Sequence, residues 1–404
     1  MHQPRHRRAL AGTITALLLV AASCGDDDDE GGETTAAPAD TAAAAPTTGG
    51  PATTGAAETT TGGGTGEGAS AQVIDDARCE TNRAAGTITY LSSFDFAAAA
   101  SIIDVVTADE KGYFDAVCLD VELRPSFSTA NYPLVASGEA QFSSAGAYTE
   151  ILNFSQDGAA FVALTDYGKT PIEALVVKDP AVTDLAALEG MTIGVKGDLP
   201  PSIVAMLSAA GLERGSDYEE VLLDGFDPVA HLQQDIDALP VYKSNEPGQL
   251  DAAGVEYALF DPTEEGIPGS FGLIYTSQEF AAEHPTVVED FVRAALRGMQ
   301  DAIADPEASV ALAVERIDAA GNQNFLSLEG ETFRWQQELA EVQRGMGDLP
   351  VGVIDPAVLE AEIAAYVDAG VFDEAPSTEG TYDADVAAGL YDENGELTWE
   401  AAAG

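Results

Sequence analysis

Glu110-Lys111-Gly112-Tyr113-Phe114-Asp115-Ala116-Val117-Cys118-Leu119-Asp120-Val121-Glu122-Leu123 reads as the end of one helix, a glycine stop and the opening of a strand. Upstream, Ala97 to Lys111 sets Ala99, Ile102, Ile103 and Val106 near one face of a helix that Gly112 terminates. Before that helix, Thr87-Ile88-Thr89-Tyr90-Leu91 is rich in β-branched and aromatic residues, which predicts a strand. Strand, helix and strand in succession point to an α/β fold.

The pattern repeats outward. Tyr132 to Ser137 reads as a short helix closed by Gly138, Gln141 to Ser144 as the third strand and Phe161 to Leu164 as the fourth. Extended chain resumes past Pro171, over Ile172 to Val177. A second series follows: strands at Thr192 to Val195, Glu220 to Leu223, Ile236 to Leu239 and Tyr257 to Phe260, with helices at Pro201 to Ala210 and Val229 to Gln234. Phe271 to Tyr275 is again extended. Beyond it the chain is mainly helical. His284-Pro285-Thr286 opens a helix in which Val288, Phe291, Val292, Ala295, Leu296 and Met299 form an apolar stripe, and Phe325 to Val342 and Pro356 to Ala369 are further helices. Two runs of βα units followed by covering helices predict two lobes; no fixed-period repeat is visible.

The N-terminus reads differently. Met1-His2-Gln3-Pro4-Arg5-His6-Arg7-Arg8 is basic, and Ala9 to Ala22 is apolar or small. Such a segment rises roughly 21 Å as a helix, short of a ~30 Å hydrocarbon core, and so reads as an export signal. Val20-Ala21-Ala22-Ser23-Cys24 resembles the lipobox of bacterial lipoproteins. The resemblance implies cleavage after Ser23, lipidation of Cys24, and a protein anchored on the outer face of the bacterial cytoplasmic membrane. Residues 24–71 are Gly, Thr, Ala, Pro, Asp and Glu with hardly a large apolar side chain, the composition of a disordered linker.

Formal net charge is −52, and the signal contributes Arg5, Arg7 and Arg8, so removing it leaves about −55. That balance excludes a basic nucleic-acid footprint. Cys79 and Cys118 remain once Cys24 is set aside; in an oxidising compartment the pair suggests a disulfide. The alternative is two buried thiols. Only His231 and His284 lie beyond the signal, so no metal site is expected. Gly168-Lys169-Thr170 imitates the tail of a phosphate loop, but Ala163 stands where the first glycine is required and Pro171 blocks the helix. Neither a Gly-x-Ser-x-Gly elbow nor a His-Glu-x-x-His occurs. No cofactor and no enzymatic activity are expected.

The opening stretch resembles the "KGYF…GLDVEL" signature of solute-binding proteins of ABC importers, in the group for nitrate, sulfonates, taurine and thiamine-pyrimidine precursors. Thr170 to Asp179 resembles that family's crossing strand, Leu185 to Val195 its entry to a second lobe, and Ile236-Asp237-Ala238 with Asn245-Glu246-Pro247 its "iDA…NEP" segment. The similarity spans roughly residues 86 to 305. It implies an α/β, type II periplasmic-binding-protein architecture with two hinge crossings, near 170–178 and 269–276, and a helical C-terminal region. The segments expected are a signal at 1–23, a linker at 24–71, lobe 1 at 72–172, lobe 2 at 173–268, a helical return to lobe 1 at 269–375, and a tail at 376–404. The partners implied are a small ligand and an ABC permease, with the protein acting as a monomer. The alternative is an extracytoplasmic enzyme or ligand sensor on the same fold.

Ligands of open α/β sheets sit beyond the carboxyl ends of the strands. That rule selects Ser93, Phe94, Asp95 and Phe96 after the first strand, Phe127 after the second, Ser144 and Tyr148 around the third, and Tyr167 after the fourth. In the second lobe it selects Asp198, Phe226, Asp227, Tyr242, Asn245 and Glu246. Aromatic rings and carboxylates recur, which favours a stacked, hydrogen-bonded heterocycle over a small inorganic anion, with a sulfonate-like solute as the other class. Core packing of the rings and helix capping by Asp227 are the competing readings. Pyrimidine-precursor binders carry Trp, and often Asn and His, where this chain has Leu91-Ser92-Ser93-Phe94-Asp95-Phe96, so the ligand's identity does not follow from the resemblance.

Overall fold

A computed structural model describes residues 72–156 and 159–399. The expected signal, Cys24 and the linker lie outside the described residues, as do residues 400–404 of the expected tail.

The described residues open with α1 (Asp76–Ala84), a helix absent from the sequence reading, then β1 (Thr87–Leu91). Next come α2 (Ile103–Glu110), α3 (Tyr113–Ala116), β2 (Asp120–Arg124), α4 (Ser128–Ala136), β3 (Phe142–Ala145), α5 (Tyr148–Gln156) and β4 (Phe161–Ala163). The helix expected from Ala97 starts only at Ile103. Residues 97–102 instead turn back on themselves, with the Ala99 carbonyl accepting from the amides of Ile102 and Ile103. The second series is β5 (Glu173–Val177), β6 (Thr192–Val195), α6 (Pro201–Ala209), β7 (Glu219–Leu222), α7 (Pro228–Leu232), β8 (Ala238–Tyr242), α8 (Glu246–Ala252) and β9 (Ala258–Phe260). Then follow β10 (Leu273–Ser277), α9 (Gln278–Glu283), α10 (Pro285–Ala304), α11 (Pro306–Ala320), α12 (Leu328–Met346), α13 (Pro356–Asp368) and α14 (Ala384–Ala388).

The strands form two five-stranded sheets, ordered β2-β1-β3-β10-β4 and β7-β6-β8-β5-β9. In each, the antiparallel partner is a strand delivered by a crossing. β10 runs against β3 and β4 in the first sheet, and β5 runs against β8 and β9 in the second. The two crossings lie side by side: the Gly168 and Phe271 backbones exchange hydrogen bonds of 3.0 and 2.8 Å. Only glycine fits at 168, since an added Cβ would fall 1.7 Å from the Phe271 ring. Burial explains the strand composition. β1, β3 and β10 are buried almost throughout, with Ser143, Ser144 and Thr276 as buried polar positions, whereas edge strand β2 alternates with exposed positions.

Helices close the cores. The α10 backbone lies directly on α2, where a Cβ at Gly298 would come within 2.0 Å of the Asp104 carbonyl oxygen. A disulfide joins Cys79 of α1 to Cys118 just before β2, with Cα atoms 5.3 Å apart, so the suggested pairing is present. Cys79 is buried on α1, the helix that the sequence pattern did not show. α13 belongs to both cores: Leu359 and Ile363 pack with Tyr148 and Leu273 of the first lobe, and Tyr366 packs with residues of the second, including Ile203 and Leu207. The described tail is ordered against lobe 1. The Tyr391 hydroxyl donates to the Val351 carbonyl at 2.7 Å, and Trp399 meets Tyr113 edge-on at 5.0 Å.

Candidate ligand-binding cleft

The carboxyl ends of β1, β2 and β3 in one sheet and of β6, β7 and β8 in the other supply the loops between the lobes. The loops after β1 and β2 are zipped together: the Asp95 amide donates to the Ser126 carbonyl at 3.0 Å, and the Ser128 amide to the Ser93 carbonyl at 2.8 Å. This pairing sets Phe94 and Phe127 edge-to-face, with centroids 5.7 Å apart. Phe127 keeps 48% of its surface exposed, an unusual state for a phenyl group fixed by a neighbour. The Arg334 guanidinium of α12 lies 5.7 Å from the Phe94 centroid.

From the second lobe, Tyr242 ends β8 and keeps 45% of its surface exposed. Acids of both lobes nevertheless act on its hydroxyl. Loss of surrounding water pushes its pKa up, and the charges of Glu173, Glu150, Glu246 and Glu338 push it further. Glu150 is the third residue of α5 in lobe 1; it accepts from the Ser128 hydroxyl and, at 3.4 Å, from the Tyr132 hydroxyl. Its Oε1 would lie 2.6 Å from a Cβ at Gly146, so the glycine admits the carboxylate. Glu173 opens β5 of lobe 2 and accepts from the Ser202 hydroxyl at 3.0 Å. Burial raises the pKa of both acids, and the charge of Glu173 raises Glu150 further.

The remaining sequence-selected residues fall elsewhere. Phe96 is buried with Ile102, Val106 and Ile317. Tyr148 is buried with its hydroxyl 2.5 Å from that of Thr381, and Tyr167 is buried with its hydroxyl donating to Asp104 at 2.6 Å. These three rings are core, a correction to the ligand-contact reading: each follows a strand end but turns into its own lobe. Ser144 is buried, and its hydroxyl accepts the Ser93 amide at 2.7 Å, so it ties loops together. Asp95 is buried at φ 48° and caps the Phe96 amide. Asp227 caps α7 by accepting from Val229 and Ala230, which is the capping alternative. Asp198 is open to solvent and pairs with Arg214 at 2.8 Å. Glu246 is spent on Lys196 at 2.6 Å and the Tyr242 amide at 2.9 Å, so it shapes the loop that presents Tyr242. Asn245 accepts from Arg334 at 2.9 Å, and Phe226 is exposed after β7. Glu150, Glu173 and Arg334 escaped the strand-end rule because they stand inside a helix, at the start of a strand and on a distant C-terminal helix.

The cations near these loops are all engaged. Lys196 pairs with Glu246, Lys243 with Asp261 and Glu341, and Arg334 with Glu331. Among the described residues no cluster of His, Cys, Asp and Glu could hold a metal ion.

Comparison with known proteins places this arrangement. A model of the family described as NMT1/THI5 like matches residues 99–309. The chain belongs to that family. It is 30% identical over 262 residues to the riboflavin-binding protein RibY of Chloroflexus aurantiacus, covering 59% of this chain and 70% of the relative. It is 28% identical over 279 residues to the formylaminopyrimidine-binding protein of Halalkalibacterium halodurans, covering 67% and 81%. Among solved structures, the periplasmic aliphatic sulphonate binding protein SsuA of Escherichia coli superposes with a TM-score of 0.54 at 13% identity, covering 73% of this chain and 91% of that one. At that identity the likeness concerns the fold, which is the type II periplasmic-binding-protein fold expected from the sequence.

Proposed function

We propose that this protein is the extracytoplasmic solute-binding component of an ABC importer, capturing a flat, uncharged nitrogen heterocycle between its lobes. The observation that carries this reading is that Glu173, opposite Tyr242 in the β5–β8 register, and Glu150, bonded to the Ser128 that follows Phe127, both act electrostatically on Tyr242 from different lobes. N–H groups along one edge of a heterocycle satisfy such carboxyls, while its faces stack on the rings. A sulfonate or nitrate would meet two acids and cations already paired, so the anion class is disfavoured. The names of both relatives are those of binding proteins, which supports capture without turnover. Lipid on Cys24 would hold the protein beside its permease and raise their effective concentration.

The test is a thermal-shift panel of riboflavin, aminopyrimidines, alkanesulfonates and nitrate. A heterocycle at a hundredfold over its Kd stabilises the fold by about 2.7 kcal/mol and is recovered unchanged. Each of Glu150→Gln and Glu173→Gln removes a charge-assisted bond of about 1.5–3 kcal/mol, weakening binding about 10- to 100-fold. A panel in which only sulfonates or nitrate raise the melting temperature refutes the heterocycle class, and a chemically altered ligand refutes the transport reading.

A further inference from the structure

α12 carries polar side chains that bond to both lobes. It is fixed to lobe 1, where Trp335 donates to the Ala302 carbonyl at 3.1 Å and the Ala98 amide donates to Glu331 at 2.7 Å. Further contacts reach lobe 2, and they are spread along its length. At the inner end, Glu341 Oε2 accepts from Thr170 of the first crossing at 2.8 Å and pairs with Lys243 at 3.1 Å. There a Cβ at Gly345 would lie 2.9 Å from the Lys169 amide nitrogen, so helix and crossing touch through backbone. One turn outward, Glu338 accepts from the Ala100 amide of lobe 1 at 2.6 Å and the Ser244 hydroxyl of lobe 2 at 3.0 Å. At the outer end, Arg334 Nη2 donates to Asn245 of lobe 2 at 2.9 Å while its guanidinium lies by Phe94.

We infer that Arg334 is a positioning residue that clasps the lobes shut over the stacking wall, with the Glu341–Thr170–Lys243 contact as the fulcrum. The lever follows from helix geometry. Arg334 precedes Glu341 by seven residues, about 10 Å along the axis at 1.5 Å per residue. Each 10° of opening about the crossing therefore separates Arg334 from Asn245 by roughly 2 Å while scarcely moving Glu341. The Arg334–Asn245 bond exists only when the lobes are closed. Glu331 holds the guanidinium from its own helix at 3.0 Å, so the cation is aimed before lobe 2 arrives. A ring entering beside Phe94 excludes water from the same guanidinium, which strengthens the clasp as the site fills. The inference takes from the proposed function only that a ligand enters between the lobes.

The experiment uses the full chain with its disulfide intact, spin-labelled through Glu139→Cys on lobe 1 and Gln233→Cys on lobe 2. Interlobe distances are measured by double electron–electron resonance without ligand and with riboflavin as probe. Arg334→Met and, independently, Asn245→Ala shift the ligand-free distribution to longer distances without lowering the melting temperature equivalently. The double variant shifts it no further, and riboflavin dissociates about tenfold faster from each. A ligand-free distribution for Arg334→Met that superimposes on the wild type overturns the clasp, as does a wild type with no closed population. Failure of riboflavin to bind any of the proteins counts against the proposed ligand class; the ligand-free distances still decide the clasp.

Discussion

Replacing Asp166 with Asn should stabilise the protein at pH 8 relative to pH 5. Asp166 is fully buried and neither carboxyl oxygen has a hydrogen-bond partner. Burial pushes its pKa from 3.8 up to about 7; the charge of Lys169 opposes the rise and that of Asp355 adds to it. In the unfolded chain the same acid ionises near pH 4. Between pH 4 and about 7 the unfolded chain has released this proton while the folded protein keeps it, so stability falls as pH rises through that window and levels above it. About two pK units of the window lie between pH 5 and pH 8, at about 1.4 kcal/mol each, or on the order of 3 kcal/mol. Asn cannot titrate and escapes that loss. Urea unfolding of both proteins at both pH values, followed by fluorescence of the buried Trp335, measures it. The variant still weakens with pH, by less than the wild type, because burial also raises Asp104 and Glu338 to about 7. The reasoning is refuted if the stability difference between Asp166→Asn and wild type is the same at both pH values, or larger in the variant's favour at pH 5.

Serine at both Cys79 and Cys118 opens a loop spanning 39 residues of sequence, and chain entropy then sets the loss at about 4 kcal/mol; an unfolding free energy from urea titration within about 1 kcal/mol of wild type would contradict it. Gly298→Ala drives a methyl into the Asp104 carbonyl and should cost about 1–3 kcal/mol, read as a lowered Tm, whereas an unchanged Tm would mean that α10 and α2 part without penalty.

The two-lobed arrangement was legible because its strands are short, apolar and bounded by glycine, as at Thr87–Leu91 and Thr192–Val195. Phe94, Phe127 and Tyr242 were legible by the same logic, since a residue just past a parallel strand faces the cleft. The rule cannot tell which way the chain turns next. Phe96, Tyr148 and Tyr167 obey it in sequence and are core in space, because each turns into its own lobe. Glu150 was hidden because α5 itself went unread. Glu173 opens a strand that runs antiparallel to its neighbours, so its first residue occupies the position that a last residue holds in the parallel strands. Arg334 lies 240 residues from Phe94, and no local pattern announces a meeting set by how α12 returns across the hinge.

α13 has a consequence for dissecting the molecule. Its Leu359 and Ile363 complete one hydrophobic core and its Tyr366, three residues on, completes the other. A single rod therefore serves as wall to two rooms, and neither room closes without it. Residues 173–268 cut out as an independent fragment would leave Ile203 and Leu207 without the Tyr366 ring that covers them, while a chain stopped before Pro356 would uncover both halves together. Swapping lobes between relatives to transplant ligand preference would have to move the matching face of α13 as well, because the boundary between the halves runs lengthwise down one helix.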